Sequence, residues 1–416
     1  MLTAEQNELM TRIEPGTRMG KLLRRYWHPI APLADMENRW TKRIRLLGED
    51  LVLFRDRLGG FGLIAEACPH RRASLAYGIP AIDGIRCPYH GWKFDVTGRC
   101  IEQPNEPEDS TFKDKVTTTA YPVGELGGLL WAYLGPLPAP SIPRLDGLVA
   151  EGAIRYVGRA TIPCNWLQIM ENSCDPVHTE WLHGKLTEFV REAENWKTPR
   201  AKHHVKIAFD EVEYGLIKRR LMEGQTEDAS DWTHGHPVVF PLTLAVGTRS
   251  TTWRQYQFQF RVPIDDTHTE HYWYSAYIPP GGVDVPRHLL ERVPVYEAPM
   301  HDERGEYLLD YINAQDALAW VTQGPIADRT LERLGTPDEG VLLFRKMVLR
   351  ELAKVERGED PMFVFRGAAG ERTIDLPVEF QKDMQSDGFR RVFMNGGGRF
   401  SPVADEIMAL FEGVLV

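Results

Sequence analysis

Residues 68–71 read Cys68-Pro69-His70-Arg71, and residues 87–92 read Cys87-Pro88-Tyr89-His90-Gly91-Trp92. Each run supplies one thiol and one imidazole at short spacing. Two thiolates and two imidazoles suit either tetrahedral zinc or a [2Fe–2S] cluster with mixed ligands. Zinc fingers usually space cysteine with cysteine and histidine with histidine. Here each run gives one of each. That sharing fits a cluster in which one iron takes both sulfurs and the other takes both nitrogens. Pro69 and Pro88 stiffen the two tips. Gly91 allows close backbone approach, and N–H groups near bridging sulfides tune the potential. Unrelated Cys and His residues on two β-turns would not explain why the runs match.

The surroundings support a loop setting for both runs. From Ile44 to Gly135 the sequence is short and strand-like. RIRLLGEDLVLFRD reads as two strands around Gly48-Glu49-Asp50, and Gly59-Gly60 leads into FGLIAEA. Turn signals recur at Asp83-Gly84, Thr97-Gly98 and Gly127-Gly128. Strands at this spacing predict a small all-β domain over 28–140. Before it, residues 1–27 predict an amphipathic helix, a Pro15-Gly16 turn and a second helix from about Arg18. The Pro-rich LPAPSIP run at 137–143 reads as a linker.

Residues 141–416 read differently. RYVGRATIPCNW is strand-like, and helix is expected from about Trp166 to Leu186. Long alternating runs between Lys202 and Ile278 predict an antiparallel sheet with one buried face. DERGEYLLDYINAQDALAWVTQ and VLLFRKMVLRELAKVERG read as helices. The fold class is therefore α+β, a small β-domain followed by a larger sheet flanked by helices.

Composition bounds the function. The chain has 416 residues and is 43% hydrophobic, enough to bury a sizeable core. A net charge of -10 argues against a nucleic-acid partner but leaves room for a locally basic pocket. No run of about 18 apolar residues is present, so no membrane span is expected. The N-terminus lacks the apolar core of a signal peptide, which points to the cytoplasm. Five cysteines, an odd number, do not suggest a disulfide framework. Cys174 reads as a small packing residue, and Cys100 and Cys164 have no assigned role.

A second constellation lies in residues 165–183, Asn165 to His183. It contains Glu171-Asn172, Asp175, His178 and His183. Asp175 and His178 share a helix face. His178 and His183 are spaced for a π-turn rather than an α-turn, and a π-bulge or a helix end would let both rings reach one ion. Two histidines plus a carboxylate make the facial triad of non-haem Fe(II) oxygenases. The carboxylate must come from downstream, and Asp310, Asp316 and Asp328 are the candidates. Asp328 follows the Gly324-Pro325 break, where a cap role is natural. Asp310 falls on the same face as Tyr307 and Asn313, with a solvent-exposed role as its alternative.

These motifs resemble the α subunits of Rieske non-haem iron ring-hydroxylating oxygenases, in their phthalate-dioxygenase-like branch. CPHR…CPYHGW is similar to the cluster motif, and residues 165–183 to the mononuclear-iron motif. MGKLLRRYWHP near the N-terminus and Gln323-Gly324-Pro325-Ile326 with Asp328-Arg329 extend the likeness over nearly the whole chain. The resemblance implies a [2Fe–2S] cluster on Cys68, His70, Cys87 and His90, and a mononuclear Fe(II) on His178 and His183. It implies that Asp175 bridges a neighbouring subunit's cluster to the iron, and that Asn172 lies in the pocket. It also places the third iron ligand on a late helix, which favours Asp316. Histidine ligation raises a cluster's potential to roughly −150 to +300 mV, against about −400 mV for all-cysteine plant-type clusters.

Further expectations follow from the resemblance. A separate NAD(P)H-dependent reductase, with or without a ferredoxin, would reduce the cluster, since no Gly-x-Gly-x-x-Gly nucleotide motif opens a helix here. A homotrimer is implied, with transfer between neighbours. The substrate would be an aromatic acid, attacked with O2. O-demethylation of a lignin-derived biphenyl such as 5,5′-dehydrodivanillate is favoured over cis-dihydroxylation of a carboxylate such as phthalate. An electron carrier without oxygenase activity is the alternative of another class, and the intact second constellation opposes it. An acid needs a cation, and Lys218, Arg219, Arg220, Arg249 and Arg254 are candidates. Trp166, Trp253 and Trp273 read as core.

Overall fold

The computed structural model describes residues 2–193, 201–250, 253–380, 390, 393–394 and 397–412. Helices Ala4–Thr11 and Arg18–Leu23 open the chain, as their sequence implies. Thr3 caps the first by accepting from the Gln6 N–H while the Gln6 side chain accepts from the Thr3 N–H.

Two four-stranded antiparallel sheets follow. One has the order Thr41–Leu46, Glu49–Arg55, Phe61–Ala65 and Ala120–Tyr121, and the other Ile79–Ala81, Gly84–Arg86, Lys93–Phe94 and Cys100–Glu102. The first hairpin turns at Leu47 and Gly48, with φ of 49° and 79°. Positive φ at both central residues matches the right-handed strand twist, which moves the turn one residue earlier than the Gly48-Glu49-Asp50 reading. Alternation along Glu49–Arg55 splits its side chains between two cores. Val52 and Phe54 join Ile64, Ile85 and Phe94 beside Cys68 and Cys87. Leu51 and Leu53 join the larger core, which also takes Met10 and Leu22 from the N-terminal helices and Trp166 and Phe344 from the second half.

The second half is built on a nine-stranded sheet. Its main path runs His204–Val212, Gly215–Met222, His236–Val239, Thr243–Arg249, Arg254–Asp265, His268–Ile278, Ile154–Ile162 and Val295–Glu297, with Glu379–Phe380 pairing off Thr243–Arg249. The sequence suggested one buried face, but both are covered. Tyr256, Phe258 and Phe260 pack into the large core. Their neighbours Gln255, Gln257 and Gln259 face a cavity closed by helices on the other side. Polar glutamines on the second face made it read as solvated, although Gln255 and Gln259 are buried. Trp166, Trp253 and Trp273 are core residues, as expected.

Two helix readings were too long. The helix expected to Leu186 stops at Ser173, resumes as a π-helix over Thr179–Lys185, and continues as Leu186–Ala193. Pro176 breaks it, because proline has no N–H to donate and clashes with the preceding turn. The helix expected from 302 begins only at Ile312 and ends at Val321. Asp302 instead builds a turn, accepting from the N–H groups of Arg304 and Glu306, with Gly305 at φ 82°. Helix Glu339–Glu356 packs against the first half of the broken one. Among the described residues no helix is long and apolar enough to cross a membrane.

Candidate active site

The two Cys–His runs form two turns of the same shape. The Arg72 N–H donates to the Cys68 carbonyl at 2.8 Å, and the Gly91 N–H donates to the Cys87 carbonyl at 3.0 Å. Each turn closes on a left-handed residue, Arg72 at φ 62° and Gly91 at φ 74°. The turns face each other. The His70 and His90 rings lie 4.6 Å apart, and His70 stacks on Trp92 at 4.4 Å. Cys68 and Cys87 are buried and free. Burial, with Cys87 beside it, pushes the Cys68 thiol up to about 11. Buried Nδ1 of His90 has no hydrogen-bond partner among the described residues. His70 is exposed, so this cage sits at the protein surface.

The second constellation closes in three dimensions. Asp175 Oδ1 accepts from the Val177 N–H at 2.7 Å and fixes the chain around Pro176. The π-helix begins just after His178 and carries His183, so both rings point the same way. Their centroids are 5.2 Å apart. Asp316, on helix Ile312–Val321, reaches them with Oδ1 at 3.2 Å from His183 Nε2 and 3.8 Å from His178 Nε2. Asp310 instead pairs with Arg399 at 2.9 Å. Asp328 caps a local turn, accepting from the Thr330 N–H at 3.0 Å. Glu171 turns away from the rings into a buried network with Arg329 and Arg345. Asn172 faces the cavity beside His178.

Charge is concentrated here. Burial opposes a charge on Asp316, yet His183, His178 and Arg261 hold its carboxyl below the usual range. Burial likewise opposes a charge on Asp175, but His178, 3.6 Å away, keeps it ionised. Two residues invisible to sequence reasoning complete the picture. Gln315 donates its amide N–H to the Leu309 carbonyl at 2.6 Å. A carbonyl only accepts, so Gln315 Oε1 must be the atom 2.8 Å from His183 Nδ1. His183 therefore carries a proton on Nδ1 and turns Nε2 toward Asp316. The other is the His236 side chain, held close to Asp231 and Glu379 on the far wall of the cavity. No local motif signals either residue.

The triad opens into a cavity of about 400 Å³. Of the basic candidates, Lys218 and Arg220 line it. Arg219 turns out to Asp210 and to two backbone carbonyls. Arg249 lies over the Phe380 ring, and Arg254 donates to the Tyr256 hydroxyl. Arg220 is engaged by Asp231 and Thr179, both at 3.3 Å. Lys218 is 6% exposed and forms no hydrogen bond or ion pair among the described residues. Burial, reinforced by Arg220, pushes its ammonium down to about 8.

Residues 26–122 match the Rieske [2Fe-2S] domain. Residues 162–292 match the vanillate O-demethylase oxygenase C-terminal domain, and residues 302–374 a LigXa C-terminal domain like family. The chain is 41% identical, over 96% of its length and 91% of the relative's, to the 5,5'-dehydrodivanillate O-demethylase oxygenase subunit of Sphingobium sp. (strain NBRC 103272 / SYK-6). The chain is a Rieske non-haem iron oxygenase. It is also 33% identical, over 92% of its length and 94% of the relative's, to the phthalate 4,5-dioxygenase oxygenase subunit of Pseudomonas putida. NdmA of Pseudomonas putida CBB5 shares the fold, with a TM-score of 0.59 at 20% identity, over 81% of this chain and 93% of that one.

Rieske oxygenases of this kind carry a [2Fe–2S] cluster and a mononuclear Fe(II), and work with separate electron-transfer components. The donor sets suit both groups. Among the described residues, buried Asp316 Oδ1 and His178 Nδ1 have no hydrogen-bond partner. Donor atoms of His178, His183 and Asp316 lie within 4.8 Å of one another. An orphaned buried oxygen of this kind costs about 1–3 kcal/mol, which a bound cation would relieve. Two free thiols and two facing imidazoles offer the mixed set that a Rieske cluster takes.

Proposed function

We propose that this oxygenase O-demethylates a methoxylated aromatic acid of the 5,5′-dehydrodivanillate type. The observation that carries the reading is Lys218. It is a buried cation without a partner among the described residues, on the wall of the cavity that holds the histidines and Asp316. Leaving a buried ammonium unpaired is costly unless a ligand supplies the anion. An aromatic carboxylate supplies it, and the cavity volume of about 400 Å³ suits a substrate of one or two rings. Balanced, the reaction takes an aryl methyl ether, O2, two electrons and two protons to a phenol, formaldehyde and water.

In this reading Cys68, His70, Cys87 and His90 hold the cluster, and His178, His183 and Asp316 hold the iron. When bound, these groups supply single electrons and oxygen activation. The protein's own part is orientation. Gln315 fixes the His183 tautomer, Asp175 fixes the His178 side of the site, and Lys218 with the glutamines of strand Arg254–Asp265 seats the ring. Asn172 lies where it limits how the ring approaches.

A homotrimer follows from the same reading, with Asp175 of one chain facing a cluster histidine of the next. Two exposed faces support it. Tyr89, beside His90, is 55% exposed, and Trp181, within the π-helix, is 64% exposed. Reducing equivalents would come from a separate NAD(P)H reductase, directly or through a ferredoxin. Five free cysteines, all buried, suit the reducing cytoplasm.

Product analysis decides the chemistry. Purified enzyme with a surrogate reductase, NADH and methoxylated mono- and biaryl acids should yield formaldehyde and a new phenol. The phthalate 4,5-dioxygenase likeness makes phthalate the control. A cis-diol from phthalate, without formaldehyde from any ether, would replace demethylation with ring dihydroxylation.

A further inference from the structure

Strand Arg254–Asp265 carries a row of polar side chains under the cavity. Alternation along a strand puts Gln255, Gln257, Gln259 and Arg261 on one face. The three glutamines line the cavity, and Gln259 is only 8% exposed. Arg261, at the end of the row, is buried. Among the described residues both hydrogen bonds of its guanidinium go to Gln259. Nη1 donates to the Gln259 carbonyl and Nη2 to Gln259 Oε1, each at 2.9 Å. Arg261 Nε has no partner among those residues.

A guanidinium only donates, so it settles which end of the amide is which. Gln259 Oε1 turns to Arg261, and Nε2 turns the other way. Among the described residues the acceptor within reach of Nε2 is Gln257 Oε1 at 3.5 Å, longer than the usual range of about 2.7–3.2 Å. Gln259 thus offers the cavity amide hydrogens that are weakly engaged. A buried donor in that state favours a ligand that brings an acceptor.

The register says where such a ligand would lie. Leu244 and Val246 pair with Gln259 and Gln257 on the neighbouring strand, and both line the cavity. Lys218 stands two strands beyond them, on Gly215–Met222. Three spacings of about 4.8 Å separate the lysine strand from the glutamine strand, roughly 14 Å. The cavity floor therefore runs from a cation, over an apolar patch, to an amide donor. An aromatic acid paired with Lys218 lays its ring on Leu244 and Val246 and brings an oxygen on the far side of the ring to Gln259. An ether oxygen suits that place, because it accepts and cannot donate.

We propose that Gln259, held by Arg261, is a specificity-determining donor for a ring ether oxygen of the substrate, across the ring from the carboxylate on Lys218. This deepens the O-demethylase reading and rests on it for the ether. Gln259 touches the substrate, whereas Arg261 is a positioning residue that acts through it.

The test is calorimetric titration of the anaerobic holoenzyme with 5,5′-dehydrodivanillate and with its analogue carrying ethyl in place of each methoxyl. The two ligands share shape, charge and phenols, and only the first has the ether acceptor. The ratio of their affinities should fall about 3- to 10-fold in Gln259→Leu, the range of one neutral hydrogen bond. Gln259→Glu keeps a partner for Arg261 but turns an oxygen to the ether, so the ratio should fall at least as far. In Arg261→Lys, which lacks the fork, it should fall about threefold. A merely structural Arg261 would weaken both ligands alike and leave the ratio unchanged, which overturns its positioning role. If Arg261→Lys does not fold, Gln259→Glu decides the orientation independently, since a wild-type ratio there means that the oxygen already faces the cavity. An unchanged ratio in Gln259→Leu overturns the donor, as does a wild type that binds neither ligand. Turnover is scored separately. A ratio that falls as expected without formaldehyde from the parent would sink demethylation and leave the donor standing, and formaldehyde with an unchanged ratio would do the reverse.

Discussion

The two Cys–His turns proposed for the cluster and the triad proposed for the iron gather their side chains in opposite ways. Cys68, His70, Cys87 and His90 come from two short turns, and each turn fixes its own thiol and imidazole through two backbone hydrogen bonds. The triad joins a π-helix to a helix far along the chain, and nothing local fixes Asp316 opposite His183. One site lies at the surface, with His70 exposed; the other is walled in, with Asp316 buried. The turns should therefore tolerate changes elsewhere in the molecule, whereas the triad depends on how two helices pack. Electron entry needs exposure, and oxygen chemistry needs shelter from water.

The largest effect should come from separating the two sites by mutation. Asp316→Ala should lose the mononuclear iron and at least about 10³-fold in turnover, while the visible absorbance of the cluster stays. Cys87→Ser should do the reverse to the absorbance and also stop turnover. Iron analysis with a spectrum on each variant reads both. An Asp316→Ala protein with normal iron content would remove that residue from the triad.

Asp175→Asn probes the link between the regions. The carboxylate is held ionised by His178, so the amide keeps the shape and loses the charge. Both metals should remain, and turnover should fall roughly 100-fold. Wild-type product yield in a single turnover of the pre-reduced protein would break the connection.

Gln315→Leu asks whether the triad needs its support. The amide holds the proton on His183 Nδ1. Removing it should weaken iron binding about tenfold, read by competition with a chelator, and leave the cluster spectrum unchanged. Gln315→Glu, which still accepts from Nδ1, should restore the affinity. Equal loss in both variants would mean that packing, not the tautomer, matters.

The same contrast explains what the sequence disclosed. The facing of the two Cys–His turns was legible because side chains and scaffold share one short segment. The His178–His183 spacing was legible as a π-turn or a helix end, and the structure shows a π-helix. The Gly324-Pro325 break and a solvent-facing reading could demote Asp328 and Asp310, but placing Asp316 opposite the histidines took the resemblance, since helix packing decides which carboxylate arrives. Helix lengths failed at Pro176 and Asp302, where a local turn wins over apolar periodicity. Gln315, His236 and Asp231 were illegible, because a hydrogen bond between distant segments leaves no local pattern. Lys218 was one of five candidate cations for the acid, and only burial singled it out.

Lys218 yields the smallest effect. Burial lowers its ammonium to about 8, so the free enzyme carries the charge below that pH and loses it above. An acid ligand needs the charged form. The value of kcat/KM reports the free enzyme, so it should hold level below pH 8 and fall above it, by at most about tenfold per pH unit. The kcat should change little, because a bound carboxylate raises the lysine pKa again. A methoxybenzoate without a phenol isolates the protein's titration, as its acid group stays ionised throughout. Lys218→Arg should extend the level region past pH 9, since guanidinium does not titrate there. A flat kcat/KM from pH 7 to 9.5 in the wild type would mean that the anion is held elsewhere. The buried lysine would then act on the iron site through its charge alone, tying the cavity to the triad rather than to the substrate.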